Sequence, residues 1–223
     1  MKPRILDLFC GAGGASTGYH RAGFDVVGVD LNPDVGRHYP FEFHATDAIH
    51  YLAEHWADFD AVHASPPCQH FSAMSQCRPG LAEEYPDLVA PVRNLLKLTG
   101  LPYVMENVVG SPLASASDLF GSHGAVLCGH MFGLKLYRHR VFEASFAIAT
   151  PPHPAHAIPA SKAGHWKPGT IISVSGNCSP IAVAREAMGI DWMDRNELAE
   201  SIPPAYTEFL GGLLLEQLAE RAA

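Results

Sequence analysis

Long apolar runs are missing from this 223-residue sequence, although 48% of its residues are hydrophobic. None reaches the roughly 18 residues that a membrane span needs, and the amino terminus shows no charged-then-apolar signal pattern. Paired cysteines are missing as well. Cys10, Cys68, Cys77, Cys128 and Cys178 are odd in number, widely spread and never in a CxxC spacing, which argues against a disulfide framework or a zinc site. A reducing cytoplasm is the expected setting. His130, His153, His156 and His165 stand at no convincing ligand spacing, so no metal is expected.

Positive charge is scarce too, with 15 Lys and Arg against 23 Asp and Glu, a net charge of −8. That sum argues against a nucleic-acid partner, but the distribution qualifies it. Between Lys135 and Lys167 lie five basic residues (Lys135, Arg138, Arg140, Lys162 and Lys167) against Glu143 alone, with histidines interspersed. A local excess of this kind suits a phosphate-facing surface while the rest of the molecule stays acidic. A solvated basic loop would look the same.

What is present is a regular alternation. "RILDLF" (residues 4–9), "DVVGVD" (25–30), "DAVHAS" (60–65) and "PYVMENV" (102–108) read as short buried strands, separated by helical stretches such as residues 87–98. Asp47, in "ATDAIH", ends or follows a further strand. The spacing predicts an α/β fold, a doubly wound, mostly parallel Rossmann-like sheet. From residue 146 to 180 the alternation breaks into a proline-rich stretch, with "TIISVS" (170–175) as a candidate strand. The expected organisation is therefore a main unit over 1–145, a small inserted lobe over 146–180, and helices over 181–223 that return to the main unit.

Two motifs carry chemistry. Phe9-Cys10-Gly11-Ala12-Gly13-Gly14 follows the first strand and opens a helix, so backbone can approach a ligand there. Asp30 ends the next strand roughly 20 residues on, where a carboxylate can accept bonds from ribose hydroxyls. With Asp47 at the same sheet edge, the pattern favours an adenosine-containing cofactor. The loop lacks the Gly-Lys-Ser/Thr ending of a triphosphate site.

The second motif is "ASPPCQHFS" (64–72). Cys68 leaves the carboxyl end of a strand behind two prolines that fix two φ angles. Glu106, in "MENV", ends the next strand. A thiol beside a carboxyl group suits covalent attack on an electron-poor ring. A buried structural cysteine and an ion-paired glutamate are the plain alternatives.

"DLFCGAGGASTGYHRAGF", "ASPPCQHFS", "ENV", "YRHRVF" and "IPPAYTEFLG" occur in the order of motifs I, IV, VI, VIII and X of the DNA (cytosine-5)-methyltransferases. The sequence resembles that family over almost its whole length apart from residues 146–180. The short form and the "AREAMGIDWM" run look most like its compact phage and prokaryotic members.

The resemblance implies S-adenosylmethionine as cofactor, held by Phe9, Gly11, Gly13, Asp30, Asp47 and Pro67, with Asp30 on the ribose and Asp47 near the adenine. It implies that Cys68 attacks C6 of a cytosine flipped out of DNA, that Glu106 holds the N3 and amino edge, that Arg140 contacts the O2 side and that Arg138 supports the pocket. Residues 69–80 correspond to a mobile loop over Cys68. Residues 146–180 correspond to a reduced target-recognition lobe, so that specificity is short, relaxed or supplied by an accessory partner.

Two further departures stand out: Leu136 replaces the glutamine of motif VIII, and Ala199-Glu200 replaces the Gly-Asn of motif X. The same motifs would also serve RNA or a free cytosine nucleotide, or a non-catalytic nucleic-acid-binding subunit.

Overall fold

Near-continuous apolar strands are the signature of parallel sheets covered on both faces, and this chain builds one. The computed structural model describes residues 2–67, 87–113 and 123–222. Its seven described strands are β1 (Arg4–Leu8), β2 (Asp25–Asp30), β3 (Glu42–Ala45), β4 (Ala61–Ala64), β5 (Tyr103–Val108), β6 (His123–Leu127) and β7 (Arg140–Ala144). They lie in the order β3-β2-β1-β4-β5-β7-β6. Pairing is parallel from β3 to β5, while β7 runs antiparallel to both β5 and β6.

The helices are α1 (Gly14–Ala22), α2 (Ala48–His55), α3 (Val89–Thr99), α4 (Ile181–Met188), α5 (Arg195–Glu200) and α6 (Pro204–Ala222). Their ends follow from local chemistry. Gly23, Gly100 and Gly189 end α1, α3 and α4 at positive φ, the conformation that glycine adopts most cheaply. Asp47 caps α2 by accepting from His50 N, and Asp194 and Glu197 form a reciprocal capping box on α5. None of the described helices is long and apolar enough to cross a membrane.

Successive residues of β1 point to opposite faces, which splits the core. Leu6 and Leu8 join Val27, Val29, Leu52, Val92, Leu96 and Met105 under α2 and α3. Ile5 joins Tyr19, Phe24, Val104, Phe142, Tyr206, Leu210 and Leu214 under α1 and α6. Full burial of each such Leu or Ile contributes about 1.5–3 kcal/mol.

α1 and α6 pack closely because glycines meet there. A Cβ on Gly18 would collide with Thr207 and the Pro204 carbonyl, and one on Gly211 with Ala22. Arg93 of α3 forks onto buried Glu143 at 2.8 Å through both nitrogens, tying the reversed strand β7 to the helical layer.

The parallel strands and the helices over 89–99, 181–188 and 204–222 stand close to where the sequence predicts them. Four described elements have no counterpart in that prediction: α2, β6, β7 and α5. The expected strand over 170–175 is corrected. Among the described residues this stretch makes one bridge, Ile171 to Ala160, because prolines 159 and 168 remove donors beside it and no ladder partner runs alongside. Its Ile172 and Val174, with nearby Cys178, instead pack with Leu136, Ala184, Met188 and Leu198 in a third cluster. Residues 146–180 thus share a core with the carboxyl-terminal helices.

Candidate active site

Parallel register sets the row of residues along the carboxyl edge. Leu8 pairs with both Val29 and Ala64, and Ala64 pairs in turn with Met105. The next residues along, Asp30, Phe9, Ser65 and Glu106, therefore emerge side by side at the crevice where open α/β sheets bind ligands.

On the β1–β2 side the turn needs unusual backbone. Phe9, Gly11 and Gly13 all have positive φ (59°, 50° and 87°), and Cys10 N bonds Val29 O to hold the loop against β2. Gly11 N donates to Asp30 Oδ2 at 3.0 Å, and Asn32 N donates to Asp30 Oδ1 at 2.9 Å. Both oxygens of that carboxylate are thereby aimed.

The glycines divide the labour. A Cβ on Gly11 would meet nothing within 4 Å, whereas one on Gly13 would press on Tyr39 and Pro40, and one on Gly14 would strike Ser201 and Ile202. Gly11 keeps open space beside a fixed carboxylate, which fits a ribose-bearing cofactor. Gly14 packs against the motif X segment. Asp47 stands just past β3 at the same edge, with one oxygen engaged in its cap.

On the β4–β5 side the thiol's mount is anchored: Asn107 Nδ2 donates to Pro66 O at 3.1 Å. Pro67 is the last described residue there, and Cys68, Cys77 and the predicted loop over 69–80 lie outside the described residues. Glu106 is buried, at 6% exposure. Arg140 Nε lies 2.9 Å from Glu106 Oε1, but off the hydrogen-bonding line, so that oxygen keeps an unused acceptor position.

Burial raises the Glu106 pKa, against the lowering pull of Arg140, Arg138 and the Ser65 hydroxyl. The reversal of β7 is what makes the pair possible. Arg140 is the strand's first residue and pairs with Val108, the last of β5. A parallel strand would put it at the opposite edge.

Arg138, at φ 23°, reaches the other way. Its guanidinium donates to Ser201 O (2.9 Å), Ala199 O (2.7 Å) and Val174 O, while the Tyr206 hydroxyl donates to the Arg138 carbonyl. It binds motif X and the inserted segment to the base of β7. The Ala199 substitution is accommodated because this contact uses its backbone carbonyl. Leu136 is buried in the third cluster and anchors the inserted segment. A cavity of about 250 Å³ opens between Tyr137, Arg138 and Arg140 on one side and residues 171–175 on the other.

Three contributors went unread in the sequence. Asp7 is fully buried under the glycine loop, where burial lifts its pKa to about 7, and it accepts from Ser16. His63 is fully buried between Tyr19 and Ser65, at 2.9 Å from each, and burial lowers its pKa to about 3. It links α1 to the thiol's mount. One charged or titratable residue inside each of two otherwise apolar strands was the available signal. Trp192 Nε1 donates to Ala12 O at 2.9 Å across the fold, with no local signal. Cys10 is buried, and burial, followed by Asp7 and Asp30, pushes its thiol well up, consistent with packing.

Residues 3–112 match the family model for the C-5 cytosine-specific DNA methylases. Over those residues the chain is similar to the C-5 cytosine-specific DNA methylases. The chain is similar to the type II methyltransferase M.XorII of Xanthomonas oryzae pv. oryzae, at 34% identity over 128 residues, covering 49% of this chain and 29% of that protein. It is also similar to the type II methyltransferase M.AgeI of Thalassovita gelatinovora, at 27% identity over 186 residues, covering 69% of this chain and 42% of that protein. The chain thus spans less than half the length of these curated relatives.

Among solved structures, the S. pombe Dnmt2 methyltransferase superposes with a TM-score of 0.64 at 17% identity, covering 98% of this chain and 99% of that one. The Entamoeba histolytica methyltransferase EhMeth gives 0.61 at 11% identity, covering 98% and 99%. At such identities the likeness is one of fold. It supports the Rossmann-like reading of the sheet.

Proposed function

We propose that this protein transfers a methyl group from S-adenosylmethionine to C5 of cytosine in DNA. The observation that carries the reading is Glu106. It is buried with a raised pKa and an unused acceptor position, beside Arg140 and next to the anchored mount of Cys68. The open glycine loop lies along the same sheet edge.

Cytosine C5 is too poor a nucleophile to take a methyl group unaided. Addition of the Cys68 thiolate to C6 breaks the C5–C6 double bond and moves its electron pair toward C5. Glu106, protonated at higher pH than an ordinary carboxylate, donates to N3 and accepts from the exocyclic amine as charge develops on the ring. Arg140 faces the O2 side. S-adenosylmethionine supplies the methyl group when bound, and Phe9, Gly11, Gly13, Asp30, Asp47 and Pro67 would hold it. A base then removes the C5 proton, the C5–C6 double bond re-forms, and the Cys68 sulfur leaves. The ring must leave the helical stack to reach these groups, so base flipping is part of the proposal.

We assign the cavity between motif VIII and residues 171–175 to the target strand, with residues 146–180 as the reduced recognition lobe and an accessory partner as a further source of specificity. Widely spread, unpaired cysteines suit a cytoplasmic setting. Both relatives are named as type II methyltransferases, which suggests a restriction-modification context.

Bisulfite sequencing of DNA from cells expressing the wild type and Cys68→Ala tests the reading, with nucleoside mass spectrometry of DNA and RNA alongside. Methylcytosine in wild-type DNA alone is expected. Its appearance in RNA instead would shift the substrate, and its absence from both would overturn the activity.

A further inference from the structure

Cys128, His139, His153 and His156 are separated by as much as 28 residues, yet one ligand atom from each lies within 4.8 Å of the others. Register explains half of the cluster. Leu127 of β6 pairs with Arg140 of β7, so the next residue of β6 and the preceding residue of β7, Cys128 and His139, are neighbours at the carboxyl edge. His153 and His156 come from the inserted segment.

The Cys128 Sγ to His156 Nε2 distance is 3.3 Å. The His156 ring stacks on Tyr137 at 3.7 Å and stands 5.1 Å from His139 and 4.9 Å from His153. His130 borders the group, 6.1 Å from His156 ring to ring, with a buried Nδ1 that has no hydrogen-bond partner.

From this geometry we infer that the four side chains form a tetrahedral Zn²⁺ site that fastens the inserted segment to the sheet. One thiolate and three imidazoles suit zinc, whose bonds of about 2.3 Å to sulfur and 2.0–2.1 Å to nitrogen place donors about 3.3–3.6 Å apart. The S–N pair is already at that spacing, and the others close on the ion by roughly an ångström. Binding displaces the Cys128 proton and leaves the histidines neutral, so the loaded site carries a net charge of +1. No carboxylate belongs to the cluster.

The position gives the ion a purpose. Between β7 and α4 the described residues form no helix or ladder, and residues 153–156 belong to none of the three apolar clusters, so an ion would supply the tie that packing does not. His139 lies between Arg138 and Arg140. Fixing it aims both arginines, a consequence that rests on the proposed cytosine chemistry, whereas zinc binding itself does not.

The full chain, freed of any histidine tag, is tested by elemental analysis and by replacing Zn²⁺ with Co²⁺. About one zinc per chain is expected, with a near-ultraviolet sulfur-to-cobalt band and the visible bands of tetrahedral cobalt. Cys128→Ser should lose the sulfur band. Exposed His153→Ala should stay folded by circular dichroism and bind either metal at least about tenfold more weakly. A wild type without zinc or cobalt bands, or a His153→Ala variant that binds as tightly, would overturn the site. Activity enters none of these readouts, so failure of the metal site and failure of the methylation reading are separable.

Discussion

The two halves of the carboxyl edge are assembled differently. On the β1–β2 side, Phe9, Gly11, Gly13 and Asp30 lie within 22 residues of one another, and backbone bonds between adjacent strands fix them. On the β5–β7 side, Glu106, Arg138 and Arg140 depend on strand reversal and on carbonyls at Val174, Ala199 and Ser201. The first half is local and held by backbone. The second is gathered from distant segments by side chains. A local site tolerates loss of distant packing, while a gathered one fails when any tie is cut.

The largest expected effect sits in the gathered half. Glu106→Gln should lower methyl transfer about 10²–10⁴-fold in single-turnover assays, with thermal unfolding much less affected. A loss under tenfold would reduce Glu106 to a structural partner of Arg140.

Arg138→Ala comes next. It strands three carbonyls and should cost about 3 kcal/mol in urea unfolding. A cost below about 1 kcal/mol would mean that the inserted segment holds its position without this tie.

The third prediction contrasts two glycines of one loop. Gly14→Ala should destabilise the fold by about 1–3 kcal/mol through collision with Ser201 and Ile202. Gly11→Ala meets open space and should chiefly weaken S-adenosylmethionine binding in calorimetry, with backbone strain at its positive φ costing about 1 kcal/mol. Equal stability losses with unchanged affinity would erase the division between packing and ligand glycines.

The smallest effect is a pH slope at the join between the halves. The buried His63 titrates near 3 instead of 6.5, so the native state holds fewer protons than the unfolded chain between those values. Its stabilising share is present above pH 6.5 and is lost as pH falls into that window, by on the order of 2 kcal/mol down to pH 5. His63→Gln should show a shallower loss over the same range in denaturant titrations. An unchanged slope would remove His63 from the account.

Legibility followed the same division. The glycine loop and Asp30 were readable because strand, turn and acid occur in sequence order, and Glu106 because it lies toward the end of an apolar strand that follows the Cys68 motif. β6 and β7 were not, since two short strands among histidines and basic residues carry no strong apolar period. The segment over 170–175 read as a strand from its apolar run, but burial against α4 and α5 satisfied those side chains without a ladder. Ligand-spacing arguments set the histidines aside because they weighed neighbours along the chain, where Cys128 and His139 do not appear as a pair.

The sequence by itself determined the parallel sheet, the family resemblance and the residues expected to do the chemistry, because strand periodicity and motif order are written in consecutive residues. Tertiary structure alone decided which way β7 runs, and through that reversal the meeting of Arg140 with Glu106 and of Cys128 with His139. It also decided how Arg138 ties three segments together. Strand direction depends on which edge is left to pair and which faces remain to be buried, and those are properties of the folded sheet as a whole.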